Sequence, residues 1–131
     1  MNGPRHLGFV DATGESAAPM ATAIAAAMLG PAWQVAAWAL APAPQRDPLA
    51  AQVLAEWGLE WDWVRTEAFR LDRVPTPSVL IWLGTVPPAA TAEGIVCVRW
   101  PLPDRGAGLE ARRSQRDRIR HRLEEWAAGW G

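Results

Sequence analysis

The chain has no lysine and no tyrosine, one cysteine and two histidines among 131 residues. A single cysteine, Cys97, excludes an internal disulfide and any cysteine-rich metal site. Standing between valines in an apolar run, it is expected to be inert core. His6 and His121 are isolated and far from Ser16 in the sequence, so both are read as surface residues and no nucleophilic triad is expected. With lysine absent, the thirteen basic side chains are all arginine, and the net charge is −1. No global field therefore draws the chain toward nucleic acid or an anionic membrane. Long apolar runs are missing too. Residues 17–44 are nearly free of charge, but they are mostly alanine and are broken by Gly30, Pro31 and Gln34, which falls short of a spanning helix. Asp11 and Glu15 interrupt the place where a signal peptide needs its apolar core. The expectation is a cytoplasmic chain forming one domain over residues 1–131, long enough to bury its own core.

What is present is organised around residues 9–21. Leu7 to Val10 reads as the end of a buried strand, and a loop of small and polar residues follows. Pro19 then suits the first turn of a helix, where its missing N–H would have no intrahelical partner. Ala21 to Leu29 is a strong helix former, stopped by Gly30 and Pro31. Strand, tight loop and helix N-terminus aim several backbone N–H groups at one point, a ready anion site.

The length of this loop and its Pro19-Met20-Ala21 end resemble the phosphate-binding loop of the low-molecular-weight protein tyrosine phosphatases and the related arsenate reductases. In that family the strand ends in a cysteine nucleophile, five residues pass, and an arginine follows. Here Asp11 holds the cysteine position and Ala17 the arginine position. Trp100 to Gly106 resembles the second family signature, with Asp104 at the position of the general acid and Arg105 in place of the usual proline. Asp47-Pro48-Leu49-Ala50 with Val53 to Leu59 is similar to the family's second helix, and Arg116 to Ile119 with Leu123 to its last. One cysteine also excludes the multi-cysteine relay of thioredoxin-coupled arsenate reductases.

Further along, Trp33 to Ala39 is a second apolar run, and Ala41 to Pro44 is a loop by composition. Asp47-Pro48 provides an N-cap and a first-turn proline, and Leu49, Val53, Leu54 and Trp57 recur at helical spacing up to Gly58. Leu59 to Val64 alternates so that Trp61 and Trp63 share a face if extended. Residues 65–73 are read as a short helix or an irregular connection. Val79 to Leu83 and Ile95 to Val98 are the third and fourth strands. Residues 85–94 between them are shorter than a helical crossover normally needs. In the last segment Ile119, Leu123, Trp126 and Trp130 form one apolar stripe. Its Arg112, Arg113, Arg116, Arg118, Arg120 and Arg122 interleave with Glu110, Asp117, Glu124 and Glu125, which predicts a solvated, salt-bridged surface rather than an RNA-binding face. Four strands separated by helical segments predict an α/β fold with a parallel sheet covered on both faces. The resemblance implies a three-layer α/β/α arrangement, flavodoxin-like and phosphotyrosine protein phosphatase I-like, with strand order 2-1-3-4. The loop Asp11–Ala18 would then lie beyond the carboxyl ends of the strands, where their order reverses.

By the resemblance, a thiolate would attack phosphorus, an arginine would clamp two equatorial oxygens and an aspartate would protonate the leaving group. Asp11 is a poor nucleophile in that geometry, and Ala17 supplies neither charge nor donor. Glu15 adds a second negative charge, and two like charges about 5 Å apart repel by roughly 1 to 3 kcal/mol. The expectation is a catalytically inactive binding or regulatory domain with a protein or small-molecule partner and no cofactor or metal. Its ligand-binding loop would be Asp11, Ala12, Thr13, Gly14, Glu15, Ser16, Ala17 and Ala18. The carboxylate of Asp11 or Glu15 is expected to fold into the loop and take the place of the oxyanion. Three alternatives stand beside this. One is a residual or altered phosphatase-type hydrolase using Asp11 and Asp104. Another is a hard-cation site built from Asp11, Glu15 and Asp104. The last is an oligomerising protein that uses Trp61, Trp63 and Trp130 as an interface.

Overall fold

The structure, a computed structural model, describes residues 5–84, 92–102 and 106–129. Strands β1 (Arg5–Asp11), β2 (Trp33–Ala39), β3 (Thr66–Ala68), β4 (Ser78–Leu83) and β5 (Ile95–Trp100) form one parallel sheet in the order β3-β2-β1-β4-β5. Among the described residues the α-helices are α1 (Ala17–Leu29), α2 (Pro48–Ala55) and α3 (Leu109–Ala128). The four strands read from apolar runs keep the expected relative order, and a fifth is added at the edge. That fifth strand, Thr66-Glu67-Ala68, has no apolar run to announce it; pairing with Ala37–Ala39 makes it a strand. It corrects the reading of residues 65–73, of which Leu71–Arg73 forms a single 3-10 turn.

Side chains alternate across the sheet as the period of two requires. Leu7, Phe9, Ala37, Val79, Ile81, Leu83 and Trp100 point to the face on which all three helices gather. The alanines of α1, among them the fully buried Ala18, Ala21 and Ala25, keep that helix close to the strands. From α3, Ile119 and Leu123 are fully buried, and Trp126 meets Trp33 edge-on at 5.2 Å between ring centroids; Trp130 lies outside the described residues. Val10, Trp38, Leu80, Trp82 and Ile95 occupy the other face, where Phe69, Leu71 and Val74 cover them. The connection from β3 to β4 must return across β1 to the far half of the sheet. A right-handed connection in that direction runs over the face opposite α1 and α2. Among the described residues that layer is irregular chain rather than helix, with Phe69 wedged edge-on against Trp38 and Trp82.

Trp61 and Trp63 do not share a face. Trp61 is 5% exposed and Trp63 53%, because residues 61–64 turn, with the Val64 N–H donating to the Trp61 carbonyl at 2.9 Å. Arg46 donates to the carbonyls of both Trp61 and Val64 and lies over the Trp61 ring. Cys97 is half-buried, packed beside Ile95 on the face away from the helices. Most of the short segment after β4, residues 85–91, lies outside the described residues, yet β4 and β5 pair in parallel. Among the described residues no helix is long and apolar enough to cross a membrane.

Candidate functional site

β1 ends at Asp11, and α1 begins at Ala17, two residues before Pro19. The turn between them depends on Gly14, whose φ is +71°. A Cβ at that position would also sit 2.6 Å from Cγ2 of Thr66. Glycine is therefore required there both by backbone conformation and by space.

Asp11 turns its side chain back into the loop. Its Oδ1 accepts the Gly14 N–H at 2.6 Å and its Oδ2 accepts the Ala18 N–H at 2.8 Å. Asp11 is 7% exposed. Burial raises its carboxyl above the ordinary value; the bonds from Ala18 and Gly14 oppose that, and the nearby Glu15 charge adds to it. Glu15 itself stays exposed. Of the two acids expected to fill the loop, Asp11 is the one inside it.

The outer side of the loop is fixed by a second segment. The carbonyls of Asp11, Ala12, Thr13 and Glu15 accept N–H bonds from Leu40, Ala41, Ala43 and Asp47 at 2.8 to 3.0 Å. The Ala-Pro stretch that reads only as a loop in sequence is thus the brace for the site. With the Gly14 and Ala18 N–H groups and four of its carbonyls engaged, the loop has little freedom to rearrange.

Above the loop lies a pocket of about 230 Å³, closed by Leu83 and Gly84 at the end of β4 and by Arg112 and Gln115 from α3. It sits between the carboxyl ends of β1 and β4, where the strand order reverses. Ser16, the residue before α1, makes no capping bond; its hydroxyl donates instead to Oε1 of Gln115. Nε of Arg112 donates to Oδ2 of Asp47 at 2.8 Å, while Oδ1 of Asp47 caps α2 through the Leu49 N–H at 2.9 Å. Arg112 also reaches Oε1 of Gln115 at 3.4 Å and the Gly106 carbonyl at 3.3 Å.

Arg112 and Gln115 belong to the site, and sequence reasoning placed neither of them there. The available signal was their i, i+3 spacing, which puts them on one helix face. Asp104 lies outside the described residues, so its part as a general acid has no geometry to stand on. The cation cluster of Asp11, Glu15 and Asp104 falls outside for the same reason. Among the described residues no three His, Cys, Asp or Glu side chains gather as a metal site. His6 is half-buried on β1 and His121 is exposed on α3.

Arg118, Arg120 and Arg122 of α3 are exposed, as their charge pattern suggests, while Arg112 and Arg113 are half-buried and Arg116 is buried. Arg113 and Arg116 both hold Glu56 of the α2 C-terminus, at 2.6 and 2.7 Å. Arg116 is buried, donates to the Val53 carbonyl and lies 4.1 Å from the centroid of Trp57. The bonds from Arg113 and Arg116 lower the Glu56 carboxyl to about 2. Arg113 also pairs with Glu110 at 2.6 Å and Arg116 with Asp117 at 3.0 Å, as the interleaved charges predict; the contact with Glu56 comes from beyond α3, which a pattern within one helix does not reveal.

No protein-family model matches this sequence, and no curated protein matches it. Solved structures do. A thioredoxin-dependent arsenate reductase from Corynebacterium glutamicum superposes with a TM-score of 0.77 at 18% identity, covering 98% of this chain and 64% of its own; this chain is thus shorter than that reductase. An arsenate reductase in the phosphate binding state gives 0.78 at 21% identity, covering 95% of this chain and 98% of its own. A low-molecular-weight protein tyrosine phosphatase from T. tengcongensis gives 0.72 at 16% identity, covering 95% of this chain and 99% of its own. The chain has the α/β fold shared by arsenate reductases and low-molecular-weight protein tyrosine phosphatases.

Proposed function

We propose that this chain is a catalytically inactive, phosphatase-like domain that binds a small molecule or a protein partner and regulates through that binding. One observation carries the reading: the Asp11 carboxylate takes the Gly14 and Ala18 N–H groups, so an internal anion fills the cradle. Backbone donors of this kind hold the oxyanion of a phosphate ester when a loop of this shape is catalytic. A substrate phosphate would have to displace a buried carboxylate and would then meet the methyl of Ala17 where a clamp is needed. Loss of a charge-stabilising arginine in phosphoryl transfer costs about 10³ to 10⁵ in rate. The single cysteine suits a reducing compartment such as the cytoplasm.

The test is hydrolysis of p-nitrophenyl phosphate. The protein is expected to give no turnover above buffer, and the double variant Asp11→Cys, Ala17→Arg to gain measurable turnover. Turnover by the unaltered protein that disappears in Asp11→Ala would overturn the reading. That result belongs to the second reading, a hydrolase of phosphoric monoesters using Asp11 with Asp104. Its support is the upward shift of the buried Asp11 carboxyl beside a pocket, a feature common at catalytic acids.

A further inference from the structure

We infer that the pocket above the loop receives a small zwitterion, with Arg112 reading its carboxylate and Glu15 its ammonium group. The pocket has this role only if the loop beneath it is closed and unreactive, so the role rests on the function proposed above and names the ligand class of that same site.

The floor offers little to a ligand, because Asp11 already holds the Gly14 and Ala18 donors. The wall is different. Arg112 is the one cation among the described residues that line the pocket, and its side chain is 14% exposed. Asp47 fixes its Nε at 2.8 Å, which orients the guanidinium. Among the described residues, Nη1 and Nη2 make only contacts of 3.4 and 3.3 Å, both to neutral oxygens. Those lengths lie beyond the usual range for N–H···O bonds. A carboxylate offers both nitrogens shorter, charge-assisted and bidentate bonds in their place.

The rest of the lining decides what else the ligand must carry. Glu15 and Asp11 line the same pocket, so among the described residues of the lining two acids face one arginine. A phosphate dianion meets repulsion from both, and a simple cation gains nothing from Arg112. A molecule with one charge of each sign matches both walls. Size agrees, since about 230 Å³ falls below the roughly 300 to 1,000 Å³ that hosts drug-sized ligands. The bracing of the loop by Leu40 to Asp47 keeps the pocket pre-formed and lowers the ordering cost of binding.

The experiment is a titration of the full chain followed by amide and indole NMR shifts. The probes are glycine, β-alanine and γ-aminobutyrate, which separate the two charges progressively, against acetate, methylammonium and inorganic phosphate. At least one amino acid is expected to bind about tenfold more tightly than acetate or methylammonium, with shifts at Thr13, Gly14 and the Gln115 amide. Arg112→Gln is expected to weaken that binding about tenfold. Because it also breaks the Asp47 pair, Glu15→Gln is measured alongside it. Glu15 is exposed, and its replacement should abolish the preference for the amino acid over acetate while leaving the fold intact. Equal binding of amino acids and their half-ligands, or binding indifferent to both substitutions, would overturn the assignment. Absent amino-acid binding with absent p-nitrophenyl phosphate turnover defeats this role alone, whereas turnover by the unaltered protein defeats the function beneath it.

Discussion

Asp11 and Glu56 are both carboxylates held by several hydrogen bonds, yet their proton affinities move in opposite directions. Glu56 sits at the α2–α3 contact and is gripped by two guanidinium groups, whose bonds lower it to about 2. Asp11 sits in the loop and accepts only neutral backbone N–H groups, and burial raises it despite them. The difference teaches what each site is for. A charged donor repays desolvation of an anion, while a neutral one at comparable distance repays only part of it. Glu56 is a clasp between helices, and Asp11 is a buried tenant of the loop, held by neutral donors alone.

The contrast can be broken first at Arg116. Arg116→Ala removes the Glu56 bond, the Val53 carbonyl bond and the cover over Trp57. It is expected to lower stability by about 3 kcal/mol, because it strands polar groups in a part-buried contact. Chemical denaturation monitored by tryptophan fluorescence measures it. A change below about 1 kcal/mol would mean that the clasp is a surface ion pair after all.

The next effect falls on the loop. Gly14→Ala meets both the positive φ and the 2.6 Å approach of Thr66. A loss of about 2 kcal/mol is expected by the same denaturation, since the strain adds to the steric shift. Tolerance of alanine at Gly14 would show that the loop relaxes easily and that the brace from residues 40–47 is weak.

The smallest effect sharpens the comparison most, because its sign differs between the two sites. Asp11 has its carboxyl raised in the folded state, so its contribution is fully present below the ordinary value of 3.8. It is lost as pH rises through the folded value. Glu56 has its carboxyl lowered, so its contribution is present above the ordinary value of 4.5 and is lost as pH falls toward about 2. Stability of Asp11→Asn should therefore fall less than that of the unaltered protein as pH is raised from 3.8. Stability of Glu56→Gln should fall less as pH is lowered from 4.5. Matching pH profiles for the two variants would erase the distinction between clasp and tenant.

The elements that could be read from sequence are those whose signal is local. Leu7 to Val10, Trp33 to Ala39 and Val79 to Leu83 are dense apolar runs, and Asp47-Pro48 is a helix start with its cap acceptor in place. β3 could not be read, since Thr66-Glu67-Ala68 becomes a strand only through the free edge of Ala37–Ala39. Trp61 and Trp63 misled for a related reason: alternation implies a shared face only in extended chain, and a turn intervenes. In the site, Asp11 was visible because the loop pattern places it at the end of a strand. Arg112 and Gln115 were not, because helix-surface arginines and glutamines look alike until a pocket forms beside them.

By itself the sequence determined the strand–loop–helix unit, the carboxylate at its base and the methyl at its sixth following position, because each is set by residue identity and short-range geometry. The tertiary structure alone decided that the carboxylate turns inward onto Gly14 and Ala18 and that residues 40–47 brace the loop. It also decided that an arginine from α3 stands over the result. Those outcomes depend on which distant segments the sheet brings together, and long-range pairing carries no signature in any local window.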